Sequence, residues 1–299
     1  MEQIRHEEAP GARIERVSPE RRAELEATVP ELSMQRRRRQ RFRYWRWWLK
    51  DRLSPRSRVP TLSPAEDLPC DFAIALIACG AQYSAWAGVL IAGLRRVGGY
   101  HGPIYVITDR PRDFHDLDNV ATITVAHTRH QMVIKTCKTF LHRWVPERYV
   151  LYLDADILIG ADIRDWCQHA INCMGEHAAL FYPDPSERRM PFHGGLMLID
   201  SQRAAPFFDD WRACLTSGRF RQDQEALLAC ADAHALGRPP AFGLYFPDPA
   251  SMTREETDCF VHLTSYRLRE LGIDRCLRYL CDSLGLTPEE ARQRLATAN

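Results

Sequence analysis

The sequence predicts an α/β fold, a doubly wound sheet of mainly parallel strands, and three observations predict it. Two continuous apolar runs of strand length, residues 71–79 and 103–109, flank a helix-forming stretch over residues 84–97. Runs without polar alternation mark strands buried on both faces, and parallel strands need a crossover helix between them. The third observation is the run 150–160, apolar except where Asp154 and Asp156 stand around Ala155. At 299 residues and 45% apolar content, the chain is long enough to bury a full core as one large domain or two smaller ones.

Taken in order, residues 1–66 are polar and charged and read as an extension and linker, with the folded domain at 67–299. A short charged helix over 15–32 is ended by Pro30. From Arg36 to Arg52, nine basic residues interleave with five aromatics. That composition suits an anionic membrane surface, with charges on headgroups and Trp and Tyr at the interface. It also suits a nucleic-acid backbone, or a helix packed on its own domain with its arginines in water. Tryptophan density beyond what phosphate binding requires ranks the membrane first. Residues 54–60 and Ser63-Pro64 then read as linker.

In the folded part, Gly80 is a turn, and the helix 84–97 stops at Arg95-Arg96 and Gly98-Gly99. Residues 121–125 form a third strand, and a helix over 130–144 carries Lys135 and Lys138 before Pro146. After the aspartates come a helix at 163–173, a strand at 178–182, a polar loop at 183–190 and a strand at 192–200 that contains Gly194-Gly195. Paired glycines let backbone pass close to a ligand or a neighbouring strand. Helices at 204–216 and from 221 follow, then a short strand within 259–267 broken by His262, and two terminal helices over 274–299.

The near balance of 40 basic and 39 acidic residues says little, because the positive charge is concentrated near the N-terminus. None of the ten cysteines forms a Cys-x-x-Cys pair, so a reducing compartment and no zinc site are expected. No apolar run reaches the length of about eighteen residues that a membrane span needs, and Met1–Arg5 lacks the apolar core of a signal peptide. A cytoplasmic protein, peripheral on the membrane face, is the expectation.

Asp154 and Asp156 carry the chemistry. On an extended strand they face one side together, with Ala155 on the other. Two anions so close repel, and a divalent cation at a strand end is the usual remedy. Two aspartates that cap a turn are the plainer alternative.

The order of these motifs over residues 70–268 resembles the retaining nucleotide-sugar glycosyltransferases of family 8, which include glycogenin and the bacterial lipopolysaccharide galactosyltransferases. The resemblance implies the GT-A fold: a mixed, mainly parallel central sheet with helices on both faces and a Rossmann-like nucleotide-binding half. It assigns Tyr83 to stacking on the base, and Lys138, sixteen positions before Asp154, to the donor phosphates, with Lys135 as the alternative. Asp154, Asp156 and His262 become ligands of Mn²⁺, with Mg²⁺ as the alternative. His193, Gly194 and Gly195 fall where the family lines the donor sugar, with histidine in place of the usual asparagine. Asp223 and Gln224 match the pair at the reacting centre. The family's glycine and lysine after the metal histidine are missing; Arg267 stands one place early as a bidentate substitute.

The expected activity is therefore metal-dependent transfer of a hexose from a UDP-sugar to a hydroxyl of a carbohydrate, glycolipid or protein. Retention of configuration follows from the resemblance alone. Two other readings compete: a haloacid dehalogenase-type phosphatase, which uses Asp-x-Asp on its first strand, and a non-catalytic membrane or nucleic-acid adaptor with a degenerate transferase domain.

Overall fold

The structure, a computed structural model, describes residues 68–127, 131–182, 192–220, 222–231, 233–240, 244–245, 259–262 and 279–298. The expectations for residues 1–66, Arg36 to Arg52 among them, for the loop 183–190 and for Arg267 lie outside the described residues.

Strand β1 (Phe72–Ile77) is buried at every position. Phe72, Ile74 and Leu76 enter one core and Ala73, Ala75 and Ile77 the other, as period-two alternation in a doubly covered strand requires. Gly80, at φ 86°, turns the chain into α1 (Ala81–Arg96). Near the end of that helix Arg95 donates to the carbonyls of Tyr100 and Gly102, fixing its junction to β2 (Ile104–Thr108). A 3₁₀ turn (Pro111–Phe114) leads to β3 (Val120–Thr124).

The single helix expected over 130–144 is instead broken into α2 (Gln131–Thr136), a 3₁₀ turn (Cys137–Phe140) and α3 (Leu141–Trp144). Thr139 Oγ1 donates to the Thr136 carbonyl at 2.8 Å, a local side-chain bond that competes with the α-helical ladder. The tighter turn buries all four of its residues, Lys138 included.

A second correction concerns the run 150–160, which is not one strand. β4 (Tyr149–Asp154) lies in the large sheet between β1 and β7 (His193–Asp200), whereas β5 (Ile157–Ile159) belongs to a separate sheet. Ala155 and Asp156 form the turn between them. The reason is pairing: Ile157, Leu158 and Ile159 find antiparallel partners in β10 (Phe260–His262), which the plane of the large sheet does not offer.

The remaining elements are α4 (Arg164–Met174), β6 (Ala179–Tyr182), α5 (Ala205–Thr216), α6 (Asp223–Ala231), β8 (Leu236–Gly237) and β9 (Leu244–Tyr245). A π-helical turn (Tyr279–Ser283) and α7 (Pro288–Ala298) stand where two terminal helices are expected. The large sheet has the order β3-β2-β1-β4-β7-β6-β8, and the small one β5-β10-β9. β1 to β4 pair in parallel, and β7 runs antiparallel to both its neighbours, so the sheet is mixed but mainly parallel.

Helices cover both faces. Trp86, Leu90 and Leu94 of α1 and Trp166 of α4 pack on one side, while Phe207, Phe208, Trp211 and Leu215 of α5 fill the other. The spacing of the α5 residues is that of a single helical stripe. No disulfide joins the described cysteines, and among the described residues no helix is long and apolar enough to cross a membrane.

Candidate functional site

The site lies where the parallel strands end. Ile77 pairs with Asp154, so β1 and β4 stop together, and antiparallel β7 brings its first residues, His193 to Gly195, to the same edge. The first residue of α6, Asp223, arrives beside them. Open α/β sheets collect ligands at this edge. A cavity of about 280 Å³ opens there, lined by Tyr83, Lys135, Lys138, Asp154, Asp156, His193, Gly194, Gly195, Asp223 and Gln224 among others. Sequence reasoning singled out all ten.

Asp154 and Tyr152 are two residues apart on β4 and share a face. The Tyr152 hydroxyl donates to Asp154 Oδ1 at 2.5 Å, and Lys138 Nζ lies 3.1 Å from the same oxygen. Oδ2 lies on the Gly195 side, where a Cβ on residue 195 would stand 2.7 Å from it and 2.6 Å from His193 Cε1. Glycine is what lets β7 pass this close.

Lys138 Nζ also donates to the Gly194 carbonyl at 2.8 Å and to Asp223 Oδ2 at 3.4 Å, and it sits 5.0 Å over the Tyr152 ring. Burial works against its charge, but Asp154 and Asp223 outweigh it and raise the pKa above that of a free lysine. Lys135, about one turn earlier on the same side of the segment, places Nζ 2.6 Å from Asp223 Oδ1. Burial opposes ionisation of Asp223 too, yet Lys138 and Lys135 hold its carboxyl well below the usual carboxylate range. The Trp211 indole N–H, from the core of α5, donates to the Asp223 carbonyl at 3.1 Å and ties the start of α6 to the sheet.

Asp154, Asp156 and His262 each offer one ligand atom, and the three atoms lie within 4.8 Å of one another. His262 Nε2 is 3.3 Å from Asp156 Oδ1. Burial opposes protonation of His262, but Asp156 and then Asp154 raise its pKa above the ordinary histidine value. Its ring meets that of His193 edge to face, with centroids 4.6 Å apart. His193 Nδ1 accepts from the Gly195 N–H at 3.0 Å, which leaves any proton of a neutral His193 ring on Nε2. Two carboxylates and an imidazole suit a divalent cation, and three protein donors leave positions for oxygens of another molecule. The residues present therefore fit a divalent cation.

Tyr83 is among the more exposed large side chains, at 39%, and stands at the cavity wall. Burial, then Asp156 and Asp154, push its hydroxyl pKa up, so the carboxylate field reaches the ring. Sequence reasoning missed Tyr152 and Trp211. The first was legible, being two residues before Asp154 on one strand. The second reads only as core, because its bond to Asp223 joins two helices. Among the described residues the Asp-x-Asp begins at the end of the fourth strand, not the first, which counts against the phosphatase arrangement.

No protein-family model and no curated protein matches this chain. Solved structures do. One is galactosyltransferase LgtC in complex with donor and acceptor sugar analogues, at 16% identity and a TM-score of 0.52, covering 74% of this chain and 99% of LgtC. The fold is GT-A. Another GT-A structure like it is the apo form of the glycosyltransferase GlyE from Streptococcus pneumoniae TIGR4, at 15% identity and a TM-score of 0.52, covering 75% of this chain. The match spans 63% of GlyE. Identity this low speaks for the GT-A architecture and leaves chemistry to the residues.

Proposed function

We propose that this chain is a metal-dependent glycosyltransferase that moves a hexose from a nucleoside diphosphate sugar, UDP-linked, to an acceptor hydroxyl with retention. One observation carries the reading: Asp154 and Asp156, whose ligand atoms stand within 4.8 Å of that of buried His262 behind them, line one cavity at the carboxyl edge of the sheet together with Lys135, Lys138 and Asp223. Cation-binding carboxylates beside lysines are what a diphosphate leaving group needs, since charge grows on it as the glycosidic bond breaks. The LgtC structure, with donor and acceptor sugar analogues bound, supports the class of substrate.

Asp154, Asp156 and His262 would hold Mn²⁺, or Mg²⁺ in its place, and the cation when bound supplies Lewis-acid stabilisation of the departing diphosphate. Tyr83 offers a ring face to the base from the cavity wall. Asp223, held ionised by the lysines, accepts hydrogen bonds from sugar hydroxyls. Gln224 presents its amide near the anomeric carbon, and His193 with Gly194 and Gly195 lines the sugar. Alignment of donor and acceptor supplies much of the remaining acceleration.

Residues 36–52 complete the reading as an electrostatic and aromatic attachment to an anionic membrane on its cytoplasmic face, which brings the domain to a glycolipid or other surface acceptor. A thermal-shift screen of nucleotide sugars with and without Mn²⁺ tests metal, base and sugar together. Stabilisation by a UDP-sugar only when Mn²⁺ is present is expected, with donor hydrolysis lost in Asp154→Asn and Asp156→Asn. Full metal-dependent hydrolysis in either variant would sink the proposal.

A further inference from the structure

Two lysines reach the site, and the structure gives them unequal positions. Lys138 has three ammonium hydrogens and three acceptors: Asp154 Oδ1, Asp223 Oδ2 and the Gly194 carbonyl. Its side chain is 7% exposed, and the Tyr152 ring closes the remaining side at 5.0 Å. Every donor it has is directed at the protein. Lys135 is 34% exposed at the cavity wall and pairs with Asp223 Oδ1, an oxygen Lys138 does not use. The geometry points to a division of labour that rests on the glycosyltransferase reading above: Lys135 is the cation that leaves Asp223 to meet the donor diphosphate, while Lys138 is a positioning residue joining the metal carboxylate to the reaction-centre carboxylate.

This reverses the order that spacing from Asp154 suggests, which gives Lys138 to the phosphates. Moving Lys138 onto a phosphate would take a buried ammonium off three acceptors and strip charge-assisted bonds from buried Asp223 and half-buried Asp154 at once, a costly exchange. Moving Lys135 breaks one ion pair at a wetted edge, and it frees Asp223 Oδ1 as a sugar-hydroxyl acceptor when the donor arrives. One motion then both neutralises the leaving group and readies the carboxylate.

Inorganic pyrophosphate with Mn²⁺ is the probe, because it carries the charge without the base or the sugar, and titration calorimetry on the full chain reads its affinity. Lys135→Gln is expected to bind pyrophosphate about tenfold more weakly, the loss of one charge-assisted contact, and to stay folded because Lys138 still pairs with Asp223. Lys135→Arg restores the affinity. Lys138→Arg keeps the charge but presents a planar fork to three acceptors arranged for a point ammonium, so it is expected to lose Mn²⁺ affinity. If Lys135→Gln binds pyrophosphate within about twofold of the unaltered chain, or Lys138→Arg binds both ligands normally, the division of labour is overturned and the transferase reading stands. If the unaltered chain binds neither pyrophosphate nor UDP in the presence of Mn²⁺, the diphosphate reading itself fails and takes this inference with it. Should Lys138→Arg not fold, the Lys135 comparison decides alone.

Discussion

A methyl group added at residue 195 should damage both the fold and the site, while the same change one residue earlier should not disturb the fold. In Gly195→Ala the new Cβ would stand 2.6 Å from His193 Cε1, 2.7 Å from His193 Nδ1 and 2.7 Å from Asp154 Oδ2. Comfortable contacts begin near 3.5 Å, so these groups must retreat by roughly 0.5–1 Å. Neither retreats easily. Asp154 is held through Oδ1 by Tyr152 and Lys138, and the His193 ring is fixed by the amide of residue 195 itself. Overpacking of this kind costs about 1–3 kcal/mol, or roughly 2–10 °C in melting temperature for a domain of this size. If Asp154 holds the cation as proposed, its displacement on the scale of an ångström costs about a hundredfold in turnover. In Gly194→Ala the nearest atoms are 3.7, 3.7 and 3.8 Å away, ordinary contact, so the melting temperature should stay within about 1–2 °C of the parent. Thermal unfolding and a Mn²⁺ titration followed by electron paramagnetic resonance check both variants. If Gly195→Ala melted and bound Mn²⁺ like the parent, the close approach of β7 to Asp154 would have no consequence and the argument from it would be refuted.

The raised pKa of His262 sets a pH dependence. The stability that its pairing with Asp156 contributes is fully present below the unfolded value of about 6.5 and is lost as pH rises through the folded value. A cation needs the neutral ring, so Mn²⁺ affinity should rise over that same interval with release of a proton; an affinity that stays flat as the pH climbs from the ordinary histidine value would remove His262 from the ligand set. Deleting residues 36–52 should release the protein from vesicles containing anionic lipid while sparing donor hydrolysis, and vesicle binding that persists in a co-sedimentation assay would place the attachment elsewhere.

How far the sequence revealed the fold and site depended on whether a feature is local. β1, β2 and β4 were readable because burial on both faces leaves an uninterrupted apolar run, and the turn at Gly80 was readable because the residue is. The turn at Ala155-Asp156 was not. Nothing in the run 150–160 says that its last residues will pair with β10, about a hundred positions later, rather than stay beside β1. The break after Thr136 was hidden for a related reason. Residues 131–144 have acceptable helix propensities, and only a Thr139 side-chain bond and the burial of Lys138 against two carboxylates tighten the turn. The site residues emerged through motif order, which places types but not partners. That Lys135 and Lys138 take different oxygens of Asp223 is a fact of three dimensions.

The turn that misled the sequence reading also gives the site its architecture. Asp154 belongs to the large sheet, His262 to the small one, and Asp156 to the hinge of chain between them. A cation gripped by all three would act as a rivet across a seam, making the attitude of one sheet toward the other depend on what the site holds. Any change that tilts β10, even one far from the cavity in the strands around it, is then a change in coordination. The small sheet would then serve as a tuning lever for a bound cation, acting through His262 at the end of β10.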